Sequence, residues 1–191
     1  MSRAEIYKQV AQLHMAALSK GFLARLGPPF LALLYEKIDQ TPAYHLITHE
    51  IDGRVVGFVS GGPGMGSIYR ALLSSWPRLA ISLIPNILIP KKLWGVFELL
   101  QFKRRDENPH SPRYELLSIA VSAENRGTDI APLLYQSLSC EFRRAGVDEF
   151  KIVVGDTLER AQKFYMKMQA RPSHKVEVHG GVSSTVFLAH L

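Results

Sequence analysis

Residues 122–134 read SAENRGTDIAPLL, and this run holds the chain's best candidate for anion chemistry. Arg126 offers a permanent positive charge, Gly127 lets the main chain approach a ligand closely, and a helix predicted from Ile130 leaves its first amides without internal partners. A guanidinium, a helix dipole and free N–H groups together attract a group such as a diphosphate. Asp129 complicates that purpose. Its carboxylate either repels the anion or turns inward as an N-cap and competes for the same donors, with Pro132 tolerated in the first turn. The same residue types also make an ordinary strand-to-helix turn, so sequence alone leaves an anion site and a plain capped helix both open.

One carboxylate is placed for proton transfer. Glu115 stands four and six residues before Ile119 and Val121 in YELLSIAVS, and period-2 alternation predicts that the three share a face. Among apolar neighbours its pKa would rise toward the range of a general base; the alternative is a solvated glutamate at a strand end. His45 and His49 are four apart, but on a strand they are separated by about 13 Å and do not form a joint metal site. No motif supports a Ser-His-Asp or Cys-His nucleophile. Cys140 is expected to pack within its helix.

The elements that must hold these groups follow from periodicity. Ile6, Val10, Leu13 and Ala17 predict a helix ending near Gly21, and Phe30, Leu33, Leu34 and Ile38 predict a second from Pro29 to about Asp39. Two β-rich runs joined by Asp52-Gly53 predict a hairpin. Short helical pieces follow around Pro77, Pro85 and Pro90. A strand from Tyr114 to Ser122 then leads into a helix from Ile130 to Ala145, whose buried stripe is Ala131, Leu134, Leu138, Phe142 and Ala145. EFKIVVG reads as a strand, TLERAQKFYMKM as an amphipathic helix, and HKVEVH, GG and VSSTVFLAH as a second hairpin.

LLSIAVSAENRGTDIAPLLYQSL followed by ERAQKFYMKM resembles the cofactor core of the GNAT superfamily of acyl-CoA-dependent N-acetyltransferases. That family shows a strand ending in an Ala-Val-like pair, an Arg-Gly-x-Gly-x-Gly/Ala loop, a helix, a strand and an Asn-x-x-Ala-x-x-Phe-Tyr helix. Asp129 replaces a customary glycine, Leu158 an asparagine, and Gln169-Ala170 a Gly-Phe pair. The resemblance covers the chain except Ser67 to Arg113. It implies an α/β fold of the α+β kind: one domain with a mixed, mostly antiparallel sheet flanked by helices and a helical insertion between the third and fourth core strands. It further implies acetyl-CoA as cosubstrate, with the main chain of Ile119, Ala120 and Val121 along the pantetheine arm. Arg126, Gly127, Thr128, Asp129, Ile130 and Ala131 would sit at the pyrophosphate, and Glu115 would be the general base. Tyr165 matches the family tyrosine that protonates the leaving thiolate; the plainer alternative is a core aromatic beside Phe164. The acceptor would be an amine of a small molecule or a protein.

Composition bounds the rest. The 191 residues are 47% apolar and 21% charged, as in ordinary globular domains. A single cysteine excludes an intrachain disulfide and fits a reducing compartment, and no signal-like or membrane-length apolar run is present, so a cytoplasmic location is expected. Of the net charge of +6, five units fall between Ser67 and Arg113, where eight basic and three acidic residues accompany Trp76, Trp94, Phe97 and Phe102. That insertion is read as helices packed on the core; the alternatives are a lid, a homodimer contact or a surface for anionic lipid. Nucleic acid is disfavoured, because no binding motif accompanies the charge.

Overall fold

The computed structural model describes residues 1–19, 21, 23–87, 111–178 and 182–191. Within them six strands form one sheet in the order β1-β2-β3-β4-β6-β5. The strands are β1 (His45–Ile51), β2 (Arg54–Gly62), β3 (Glu115–Val121), β4 (Glu149–Gly155), β5 (Arg171–Val178) and β6 (Val182–His190). The helices are α1 (Arg3–Ala17), α2 (Gly27–Gln40), α3 (Gly66–Ser74), α4 (Trp76–Ile87), α5 (Ile130–Arg144) and α6 (Glu159–Lys167). All neighbouring strands are antiparallel except β3 and β4. The mixed, mostly antiparallel sheet flanked by helices is thus the expected architecture.

Local chemistry sets the boundaries. α1 opens at Ser2, whose hydroxyl accepts the Glu5 amide at 3.2 Å, and it ends at Ala17, short of the predicted Gly21. Prolines occupy the first turn of α2, where their missing N–H would have had no partner. Asp52 and Gly53 both take positive φ (49° and 72°), as the tight β1–β2 turn requires. The insertion breaks at Ser75, just ahead of Pro77, while Pro85 is carried inside α4. In this chain's own order the insertion lies between β2 and β3, because no strand precedes α1 among the described residues. Its remaining part, residues 88–110 with Trp94, Phe97, Phe102 and the Lys103–Arg105 run, and the Gly180-Gly181 turn lie outside the described residues.

Two apolar layers sandwich the sheet. On one face α1 and α2 pack Val10, Phe30, Leu34 and Tyr35 against Phe58 and Ala120. On the other, α5 presses Leu134, Leu138 and Phe142 onto Val59, Phe150 and Ile152. The approach of α5 is close: a Cβ added to Gly61 would lie 2.7 Å from the Phe142 ring and 2.9 Å from Leu138, and one on Gly57 would lie 2.8 Å from Ile130. Only glycine fits at those two positions of β2.

The site depends on two irregularities in β3. Ser60 pairs with Ser118 but Gly61 pairs with Leu116, so Leu117 is an extra residue, a β-bulge. Beyond it, β3 keeps company with β2, while β4 is bonded along its whole length to β6. Parallel pairing of β3 with β4 is confined to Glu115–Lys151 and Leu116–Ile152. Past those residues the two strands diverge, and the sheet opens into a cleft.

Candidate active site

The cleft has a volume of about 860 Å³. One wall is β3 from Leu116 to Val121, unpaired with β4 beyond Leu116, and the other is Ile152 to Val154 of β4. Asn125, Arg126, Gly127, Thr128 and Ala131, which follow β3, and Thr157 to Ala161, Phe164 and Tyr165 of the β4–α6 junction complete the lining, both beyond the C-terminal ends of the two parallel strands. Ala17 and Leu18, at the end of α1, reach the cleft from the opposite side of the sheet.

The junction before α5 is arranged as free donors. Gly127 takes φ +83°, which a side chain would resist. Thr128 turns its hydroxyl to the Asn125 carbonyl at 2.7 Å and receives the Ile130 amide only at 3.4 Å. Among the described residues the amides of Gly127, Thr128, Asp129 and Ala131 meet no internal acceptor. Asp129 occupies the N-cap position with φ −78° and ψ 1°, yet its carboxylate makes no capping hydrogen bond. It is exposed and is not part of the cleft lining. The carboxylate therefore does not plug the donors, and of the two fates foreseen for it, self-capping is not the one adopted.

The α6 side is similar in kind. Leu158 stands at its N-cap without side-chain capping, half-exposed and lining the cleft. Its carbonyl accepts from Ala161 and Gln162, which starts the helix without the asparagine. One turn on, Tyr165 is buried with Tyr135, Phe164 and Phe187 around its ring at centroid distances of 6.3, 5.2 and 6.3 Å. Burial, reinforced by Tyr135, pushes its phenol well above the ordinary tyrosine value, so the proton is retained. Its rim position on the cleft joins the acid and core-aromatic expectations rather than choosing between them.

Glu115 departs from expectation. The bulge at Leu117 inserts one residue between it and Ile119, which reverses the parity of the strand. Ile119 and Val121 pair with Val59 and Gly57 on the α5 side. Glu115 pairs with Gly62, on the face that Tyr44 covers. It is 2% exposed, so the solvated alternative is excluded, and it lies on the face of Ser118 instead of among the cleft-lining side chains of Ile119 and Val121.

His45 and His49 both lie on β1, and among the described residues no cluster of three or more His, Cys, Asp or Glu is placed to hold a metal. Cys140 is exposed on α5, contrary to expectation, because it sits about 200° round the helix from both Leu138 and Phe142. No described helix is long and apolar enough to cross a membrane. Sequence reasoning missed Asn125, Thr157 and Ser118 as cleft residues; Ser118 was discernible as the one hydroxyl inside the apolar run LLSIAV.

A strand that leaves its parallel neighbour, an uncapped helix start with a positive-φ glycine, and a buried tyrosine together line one open groove. Solved structures of the same fold include an N-acetyltransferase from Staphylococcus aureus Mu50, with TM-score 0.63 and 14% identity over 99% of this chain and 94% of that one. An aminoglycoside 6'-N-acetyltransferase complexed with coenzyme A gives 0.61 and 12% over 97% and 91%. The ribosomal-protein-S18-alanine N-acetyltransferase from Escherichia coli gives 0.58 and 10% over 97% and 88%. A search of curated protein sequences found no match. The family model for acetyltransferases of the GNAT type matches residues 8–169, which include every residue that lines the cleft, and the chain belongs to that family.

Proposed function

We propose that the chain is a cytoplasmic N-acetyltransferase that moves an acetyl group from acetyl-CoA to a primary amine by direct attack in a ternary complex. The observation that carries this is the open β3–β4 seam with the unplugged amides of Gly127, Thr128, Asp129 and Ala131 beside it. Arg126 and the amides from Gly127 to Ala131 would hold the diphosphate by charge and dipole. The main chain of Ile119, Ala120 and Val121, on the edge that faces away from β2, would bond the pantetheine arm as an added strand, and an amide there would polarise the thioester carbonyl. Nitrogen–carbon bond formation and carbon–sulfur cleavage require one proton to leave the amine and one to reach the thiolate. Glu115, on the α1/α2 face, would receive the first directly or through water, and Tyr165 would supply the second.

The acceptor class is an amine of a small molecule or a protein. Structural neighbours include enzymes named for an aminoglycoside and for the alanine of ribosomal protein S18, which span that range. A calorimetric titration with acetyl-CoA and a thiol-release assay over a panel of primary amines test the proposal: binding with turnover supports it, and neither with any amine refutes it.

A specific observation favours an added peripheral role. Leu73, Trp76 and Ile81 on α3 and α4 are 47%, 70% and 65% exposed, within the basic part of the chain. We propose that this patch contacts anionic membrane surfaces. Co-sedimentation with phosphatidylglycerol vesicles that survives the Trp76→Ala, Ile81→Ala double change would refute it.

A further inference from the structure

The two helix starts that flank the cleft are fastened differently. Before α5 the Thr128 hydroxyl bonds within its own loop, to the Asn125 carbonyl. Before α6 the fastening comes from a distant part of the chain. Asp156, the residue after β4, does not line the cleft, yet its carboxylate gathers side chains from both strands of the final hairpin. The Thr185 hydroxyl donates to Oδ1 at 2.7 Å, and the Ser183 hydroxyl and Lys175 ammonium donate to Oδ2 at 2.7 and 3.0 Å. The Asp156 amide donates to the Ser183 carbonyl at 3.1 Å, and its own carbonyl accepts from the Gln162 side chain, also at 3.1 Å. Every polar group of Asp156 is thus engaged by β5, β6 or α6. The three side-chain donors all lie past residue 169, where the family match ends.

Two plainer uses of this knot fail. A second cavity of about 480 Å³ lies beside it, but its polar side chains are matched within the protein: Lys175 and Thr185 by Asp156, Gln162 by main-chain carbonyls, and Ser173 by His174 Nδ1 at 3.1 Å. Such a cavity has little to offer a polar ligand. An ion pair for stability is also a poor account, because the Lys175 side chain is 72% exposed and its charge is screened. What does need fastening is α6. It has nine residues, of which only Tyr165 is buried, and Leu158 at its N-cap gives no side-chain cap. So short a helix, with so little packing, takes its position from what holds its ends. The residues leaving Asp156, Thr157 to Ala161, line the cleft, and Phe164 and Tyr165 follow one turn later.

We propose that Asp156 is a positioning residue: held by Thr185 and Ser183, it sets where Thr157–Ala161 stand across from β3 and so fixes the width of the groove that receives acetyl-CoA. The proposal rests on the acetyltransferase assignment above and deepens it, since control of one cofactor wall then lies in the final hairpin, outside the cleft.

Calorimetry and amide exchange on the full chain test this. Asp156→Ala should weaken acetyl-CoA binding about tenfold, and Thr185→Val, which keeps the shape and removes the hydroxyl, about threefold. Thr185→Ser, which returns the hydroxyl, should bind as the unsubstituted chain does. The double change Asp156→Ala, Thr185→Val should be no weaker than Asp156→Ala alone, because the two residues act through one contact. Leu72→Ala, a core truncation in α3, which lines no part of the cleft, should lower the melting temperature without altering the acetyl-CoA Kd. The amides of Leu158, Ala161 and Gln162 should exchange faster in Thr185→Val while those of α5 stay unchanged. An unchanged Kd in Thr185→Val, additive losses in the double change, or equal weakening in Leu72→Ala overturns the proposal. Should Asp156→Ala not fold, Thr185→Val against Thr185→Ser decides. Failure of the unsubstituted chain to bind acetyl-CoA refutes the acetyltransferase assignment, and the exchange comparison alone then upholds or overturns the fastening of α6.

Discussion

The two faces of β3 are made differently. Toward α5 the strand shows Leu116, Ile119 and Val121, apolar side chains beside main-chain amides and the starts of two helices. Toward α1 and α2 it shows Glu115 and Ser118 beside Ser60, Tyr35 and His14, a strip of side-chain polarity inside a hydrophobic layer. The contrast teaches that one face suits a ligand which every member of a fold family can share, since backbone recognition is indifferent to sequence. The other suits a ligand that differs from enzyme to enzyme, since side chains can be exchanged singly.

Substitutions can break or sharpen that contrast. The largest effect is expected on the polar face: Glu115→Gln should lower kcat by about 10²–10⁴-fold with acetyl-CoA affinity intact in calorimetry. If acetyl-CoA affinity falls equally, the faces do not divide the labour. Tyr165→Phe should lower kcat by about 10²-fold without changing either KM. Because burial raises its pKa, the phenol is still an acid at pH 10, so the wild-type rate should show no alkaline loss below that point. The same shift stabilises the fold fully below pH ~10, and that contribution declines as pH rises past the unfolded tyrosine value.

His14 gives the opposite sign. Its pKa is depressed from 6.5 to about 4 by burial, so the unfolded chain takes up the proton first. The stability this provides is complete above pH ~6.5 and should fall by on the order of 3 kcal/mol as pH drops toward 4, a slope in urea titrations that His14→Leu should abolish. On the α5 face, Gly61→Ala should destabilise by about 1–3 kcal/mol in the same titrations, as Phe142 and Leu138 are forced aside. The smallest effect, Gly127→Ala, should cost about 1–2 kcal/mol of backbone strain, read as a melting point lower by a few degrees or, where the loop relaxes to escape the strain, as an acetyl-CoA Kd weaker by about five- to thirtyfold.

Much of this was legible in the chain. The stripe Leu134, Leu138, Phe142 gave α5, Asp52-Gly53 gave its hairpin, and the span Glu149–Gly155 was read to the residue, because each is a local pattern with one physical meaning. The face of Glu115 was not legible, since a bulge is set by how two strands register, and nothing in ELLSIAV marks Leu117 as the extra residue. Asp129 was ambiguous for a related reason: sequence places it at a cap position, but whether its side chain turns inward is decided by the loop's three-dimensional path. Cys140 could have been placed by taking the helical angle from Leu138 seriously.

The seam between β3 and β4 has a thermodynamic corollary. With two parallel rungs between them, at Glu115–Lys151 and Leu116–Ile152, the halves of the sheet are coupled largely by the aromatic packing of α5, including Phe142 on Phe150 at 5.2 Å. A molecule lying along Ile119–Val121 would splice the ladder, so occupancy should convert two loosely linked cooperative units into one, visible as slowed amide exchange on both strands and a steeper melting curve.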